Sequence, residues 1–300
     1  MITKPAGAAG AALPVLALVA NAFVWGVSWW PLRQFEALGL HPLWSTALIY
    51  ALVLVALTAW RPGVWGGLAR TPSLWVLVLA SGTTNAAFNW GVTVGDVVRV
   101  VLLFYLMPLW ALLLARLLLG ERLTRLGLLR MVLALAGAAV VLWPAGGGWP
   151  WPRSLAEGLG LLGGFTFALN NVWLRREAHR ADAERATAMF LGGTVVSALG
   201  ASALMLAGRV APPVLPGLGG IAGLVGLAAA FVCANLALQY GAARLRAGVT
   251  AVVMLTEIVF AAGSAAALGA GRVDARLLLG GALIVSAALL SVRGGGAATA

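Results

Sequence analysis

Residues 73–94, SLWVLVLASGTTNAAFNWGVTV, run for six turns of helix without one charged side chain. At ~1.5 Å of rise per residue such a run covers the ~30 Å hydrocarbon layer of a bilayer. A barrel strand would instead alternate over about ten residues. The polar residues are not scattered: Ser81, Asn85 and Asn89 stand at i, i+4 and i+8, one stripe along a helix. Amides facing lipid are costly, so the stripe is expected to face other helices or water.

Nine further stretches of similar length flank it: 13–32, 43–60, 98–119, 126–143, 155–174, 187–207, 217–242, 247–268 and 276–292. The connections between them are short and leave no room for a soluble domain. Hydrophobic residues make up 62% of the chain and charged ones 10%, far from soluble composition. The reading is an all-α integral membrane protein of ten transmembrane helices. The first stretch is taken as a retained span and not a cleaved signal, because removing it leaves nine.

The net charge of +11 does not point to nucleic acid once its distribution is followed. Alternating the spans places 14 of the 20 Lys and Arg residues on the side of the N-terminus and 6 on the other. The basic side is cytoplasmic by the positive-inside rule, so the chain is expected in the inner (plasma) membrane with both termini inside. The run 175–185 belongs to that side, where contact with anionic lipid accounts for its charge. Cys233 is the sole cysteine and His41 and His179 fall in different connections, which supports neither a disulfide nor a metal site.

The segment 143–154, WPAGGGWPWPRS, is the most loop-like near the middle and divides the spans five and five. An odd number of spans per unit turns the second unit upside down, giving two inverted five-helix repeats over 1–148 and 149–300. A shift of 150 residues lays 85–142 on 235–292 with 11 identities in 58 positions, pairing Asn85 with Asn235 and Asn89 with Gln239. A shift of 142 lays Trp25–Arg33 on Phe167–Arg175, pairing Ser28 with Asn170.

Trp25-Gly26 with Arg33 at the end of the first span, Pro108 in the fourth, the Leu119-Gly120-Glu121-Arg122 exit and Gly127 form an ordered set. In order and spacing they resemble the drug/metabolite transporter superfamily, in its ten-helix EamA-type branch. The second half departs from the pattern: Gly269-Ala270-Gly271-Arg272 stands at the exit and Ile258 replaces the proline. The resemblance implies export or exchange of small metabolites by alternating access, and the Trp-rich interior is similar to bacterial aromatic amino-acid exporters. It implies no cofactor; its partners are a small-molecule substrate and membrane lipid.

The residues themselves suggest where a substrate would sit. Ser81, Asn85 and Asn89, with Asn235 and Gln239 in the other half, offer donors and acceptors to a central cavity; the alternative is interhelical hydrogen bonding. Asn21, Trp25 and Ser28 in the first span and Asn170 and Asn171 in the sixth put aromatic faces beside amides, the usual mix of a small-molecule site. Trp29, Trp30 and Trp173 lie near span ends and suit the headgroup interface equally well. Pro108 is expected to bend the fourth span, with Tyr105 as a hydrogen-bonding gate beside it. Glu257 is the one carboxylate well inside a span, a candidate for proton coupling or for a substrate ammonium. Asp96 and Arg99 are expected to form a surface pair.

Two other functions also fit a bundle of apolar helices. A membrane-embedded enzyme acting on lipids or isoprenoids needs clustered Asp, His or Cys, which are scattered here. A drug or nucleoside exporter of the same superfamily would share every feature above except the cargo. The chain has no nucleotide-binding motif for an ATP-driven pump.

Overall fold

The computed structural model describes residues 8–120, 125–143, 149, 151–177, 179–214, 216–242, 253–271 and 274–294. Among them every regular element is a helix: α1 (Ala8–Val27), α2 (Trp29–Ala37), α3 (Pro42–Trp60), α4 (Val64–Arg70), α5 (Leu74–Val94), α6 (Val97–Phe104), α7 (Met107–Leu119) and α8 (Arg125–Leu142). The second half adds α9 (Leu155–Arg176), α10 (Asp182–Leu206), α11 (Leu218–Ala242), α12 (Thr256–Ala267) and α13 (Ala275–Gly294). Glu121 and Arg122 of the exit motif, and most of the 144–150 linker, lie outside the described residues.

Local chemistry sets the helix starts. Asp96 accepts the Arg99 N–H at 2.9 Å and opens α6. Ser154 accepts the Glu157 N–H at 3.1 Å while Glu157 reaches back to the Arg153 N–H at 2.8 Å, a close variant of the capping box. At the start of α3, Pro42 has no N–H that needs an acceptor, and His41 accepts the Leu43 N–H through Nδ1 at 3.2 Å. Burial lowers the His41 pKa, which favours the neutral ring that this bond requires. Gly120 (φ 69°) closes α7 and Gly269 (φ 67°) closes α12. The two exits therefore share a left-handed glycine turn although their letters differ.

Among the described residues, six helical stretches are long and apolar enough to cross a membrane: Ala12–Ala37, Pro42–Trp60, Val97–Leu118, Arg125–Leu142, Ala183–Leu206 and Leu218–Leu238. The first and third each combine two helices, α1 with α2 and α6 with α7. Long α5 and α9 are absent from that set because the polar residues expected to mark a pathway lower their hydropathy. They pack on each other, screened by α10 on one side and by α6 and α7 on the other. The least apolar long helices thus sit where lipid contacts them least.

Glycine permits the closest crossings. A Cβ on Gly82 of α5 would lie 2.4 Å from the Gly192 carbonyl of α10, and one on Gly192 would lie 2.1 Å from the Val78 carbonyl. Between α8 and α13, a Cβ on Gly137 would come within 2.7 Å of the Gly280 carbonyl. α1 packs on α11 and α12, and α3 on α10. Without a strong hydrophobic force between helices in lipid, such backbone-to-backbone approach is a main source of association.

Candidate functional site

Two interrupted helices meet in the interior. α6 stops at Phe104, Tyr105 and Leu106 turn, and α7 resumes at Met107 with Pro108 as its second residue. Pro108 has no N–H, so the Phe104 carbonyl four residues back loses its helical donor. Gly164 of α9 leaves room for that carbonyl; a Cβ there would lie 2.4 Å from it. Across from this break, residues 253–254 are helical, Leu255 turns, and α12 begins at Thr256. Tyr105 and Leu255 are 150 residues apart, the repeat shift read from the sequence. The Tyr105 hydroxyl stands 2.9 Å from Oε2 of Glu257 and 3.1 Å from the Met254 carbonyl, joining the two breaks. Both side chains are buried. Gly26 brings α1 against the same place, where a Cβ would lie 2.8 Å from the Glu257 carbonyl.

An aromatic chain surrounds this junction. Trp25 of α1 stacks on Phe231 of α11 with centroids 4.5 Å apart and meets Phe88 of α5 edge-on at 6.5 Å. Phe88 touches Phe104 at 4.8 Å, and Phe104 touches Phe167 of α9 at 5.3 Å and Tyr105 at 6.1 Å. On the other side Phe231 continues to Tyr50 of α3 at 6.2 Å and then to Phe190 of α10 at 5.7 Å. Rings in this range attract by offset and edge-to-face geometry. Sequence reading found Trp25 and Tyr105 but missed Tyr50, Phe88, Phe104, Phe167, Phe190 and Phe231. The one available signal was the alignment of Phe167 with Trp25.

The amides are distributed differently from the expected shared cavity. Asn85 is half-buried; its Oδ1 accepts the Tyr50 hydroxyl and its Nδ2 donates to the Ser81 carbonyl at 2.8 Å. Ser81 donates to the Met189 carbonyl of α10 at 3.4 Å, and Asn89 donates to Thr46 of α3 at 3.2 Å. The stripe therefore spends much of its bonding on α3 and α10. Asn85, joined to Tyr50, is its one member tied to the aromatic chain. Asn21 donates to the Ala234 carbonyl of α11 at 2.7 Å, and Ser28 donates to the Trp25 carbonyl at 2.9 Å where α1 passes into α2. Among the described residues, Oδ1 of Asn21, Asn89 and Asn170 is buried and finds no hydrogen-bond partner.

Asn170 is buried, but Asn171, turned ~100° from it, is exposed on α9 and does not line the interior. Asn235 is half-buried and engaged. The side chains of Gln239 and Pro108 lie outside the described residues. Trp29 is not an interfacial anchor: it is buried and donates to Ser264 of α12 at 2.9 Å. Trp30 is exposed, and Trp173 donates to the Ser73 carbonyl at 2.8 Å. Cys233 is exposed on α11.

Polar ties hold the ends of the bundle. Arg33 lies over Trp29 at 4.9 Å and donates to the carbonyls of Val92, Thr93 and Gly95 at the end of α5. That is the favourable place for a cation on a helix. Arg99 and Asp96 do not form the expected pair; Asp96 caps α6, and the Arg99 guanidinium pairs with Glu157 of α9 at 2.6 Å. A cavity of about 250 Å³ opens laterally between α3 and α11, lined by Leu48, Ala51, Leu52, Val55, Ile221, Leu224 and Val225. It is wholly apolar and lies apart from the Tyr105–Glu257 junction, where the polar chemistry is.

Comparison with known proteins agrees with this geometry. Residues 12–143 match the EamA-like transporter family. An uncharacterized transporter from Pseudomonas aeruginosa is 36% identical over 114 residues, covering 36% of this chain and 37% of that protein. The matched region is thus little more than a third of that relative's length. A crystal structure with 21% identity covers 93% of this chain and 96% of its own, with a TM-score of 0.57, and shares the fold. Both sequence matches are to transporters.

Proposed function

We propose that this chain, with EamA-like transporter sequence over residues 12–143, is a secondary transporter that exports small organic solutes, amino acids and aromatic ones in particular. The observation that carries the reading is the meeting of two interrupted helices at Tyr105 and Glu257 inside a chain of aromatic rings. Interrupted helices free backbone groups near mid-membrane, where a transporter binds its cargo. A planar solute would lie among Trp25, Phe88 and Phe231, with the Tyr50–Asn85 pair meeting its polar edge. Glu257 and Tyr105 would form the floor.

Several contacts support two inverted five-helix repeats over 1–148 and 149–300. Exchanging the halves maps the α1–α11 pair onto α9–α5, and α1–α12 onto α9 with α6 and α7. The α3–α10 and α8–α13 pairs map onto themselves. All of these pairs are packed. Two similar halves that swap conformations would expose a central site to each side in turn. With both termini cytoplasmic, α3 and α11 begin on the outer side.

Proteoliposomes loaded with a mixture of amino acids and nucleosides test the reading. Wild-type protein is expected to release aromatic amino acids selectively, and Trp25→Ala and Phe231→Ala to lower the rate about tenfold, the order of one lost aromatic pair. Release of nucleosides alone would replace the cargo assignment. No release of any solute by folded protein would refute the transporter.

A further inference from the structure

The clasp between the two helix breaks contains three oxygens: Tyr105 Oη, Glu257 Oε2 and the Met254 carbonyl. Tyr105 has a single hydroxyl hydrogen, yet its oxygen is within hydrogen-bond distance of both others, at 2.9 and 3.1 Å. A phenol can donate to one of them only. A protonated Glu257 carboxyl would supply a second hydrogen and give each contact its own donor. We infer that Glu257 is the proton-carrying group of the transporter, protonated in this arrangement and deprotonated in another step of the cycle. The inference rests on the transporter reading and adds its energy source.

The proton balance is explicit. In the protonated clasp the Glu257 carboxyl O–H donates to Tyr105 Oη, and the Tyr105 O–H donates to the Met254 carbonyl. When the proton leaves to water, the carboxylate becomes an acceptor and Tyr105 turns its hydrogen towards it. The Met254 carbonyl, one residue before the turn at Leu255, then loses that donor. One proton thereby redirects a hydrogen bond from the backbone at a helix break to a side chain. A buried carbonyl without a donor is costly, so deprotonation favours movement of the 253–257 segment.

The surroundings leave Glu257 to this partner. α1 packs against α12 and contains no ionisable side chain. α6 supplies Tyr105 and, at its far end, Arg99, which is paired with Glu157. α2 reaches α12 through Trp29 at Ser264, seven residues beyond Glu257; its Arg33 is held on the α5 carbonyls, and its Glu36 is exposed. Among the described residues no cation pairs with Glu257.

Infrared difference spectroscopy on the purified protein and solute counterflow against a pH gradient test the inference together. Glu257→Gln imitates the protonated shape and keeps a donor for Tyr105, so it is expected to fold. Wild type should show a protonated-carboxyl stretch that Glu257→Gln lacks and Tyr105→Phe shifts. In vesicles, a pH gradient should drive wild-type solute accumulation, about tenfold per pH unit for one-for-one exchange. In Glu257→Gln the accumulation ratio should no longer depend on the gradient, whatever its rate of flux. An unchanged carboxyl spectrum in Glu257→Gln, or wild-type transport indifferent to pH gradients, would overturn the inference. A band lost in Glu257→Gln without transport by any variant would leave the acid protonated but remove the coupling along with the transporter reading.

Discussion

The α5–α10 seam and the α3–α11 seam exchange places when the two halves are swapped, yet they are packed in opposite ways. In the first, Gly82 and Gly192 bring backbones together so closely that no Cβ fits. In the second, a groove of about 250 Å³ separates apolar side chains of the two helices. The 150-residue shift puts Val232 opposite Gly82, so the seams are not equally equipped to close. Under the proposed two-repeat architecture, the halves hold different conformations, with small side-chain differences deciding which seam rests closed. Interconversion of the two seams is the motion a transporter of this design requires.

The largest effect is expected from a wedge in the closed seam. Gly192→Leu would drive a side chain into the Val78 carbonyl and cost about 1–3 kcal/mol or more, read as a lower thermal midpoint in detergent. Ala51→Leu, in the open groove, should be nearly silent in stability. Equal losses at both sites would erase the contrast between the seams.

Removing the Arg99–Glu157 tie should do less. Its arginine is 36% exposed, so the pair contributes at most about 1 kcal/mol and is screened by salt. Arg99→Ala is expected to lower stability slightly, and high salt should shrink the difference. A large, salt-independent loss would mean that this tie, and not the glycine seam, keeps the arrangement closed.

The smallest effect concerns the connector after α9. Burial alone would raise the Glu177 pKa, but the Arg180 guanidinium at 2.7 Å, with Ser73 and His179, outweighs it and holds the carboxyl below its ordinary value. Its stabilisation is therefore present above the unfolded-state pKa and lost as pH falls through the lower folded value. Glu177→Gln should flatten the acid limb of the stability profile by a small amount. An unchanged acid limb would remove this contact from the account of how the α5 end of the seam is anchored.

Much of the fold could be read in advance because membrane helices announce themselves by length and apolarity. The Gly- and Pro-rich 143–154 segment marked the start of α9, and Pro108 marked the α6–α7 interruption. The matching interruption at Leu255 left no such mark, since Ile258 stands where a proline would have signalled it. The aromatic chain was hidden for another reason. In a helix apolar on every side, Phe88 or Phe231 looks the same facing lipid as facing the interior, and only tertiary packing distinguishes them. The amide stripe on α5 was correctly grouped by spacing, but spacing did not say that Tyr50 and Thr46 would occupy its bonds. Asn171 was misplaced because adjacent amides were read together although a helix turns them ~100° apart.

The seam exchange can be measured directly by paired spin labels in a Cys233→Ser background. One pair, Leu52→Cys with Val225→Cys, spans the α3–α11 groove; the other, on the exposed surfaces of α5 and α10 at Leu79→Cys and Val195→Cys, reports the glycine seam. Adding a transported solute is expected to populate a second state in which the first distance shortens and the second lengthens together. Two distances that stay fixed while the same preparation transports solute would contradict alternating closure of the seams.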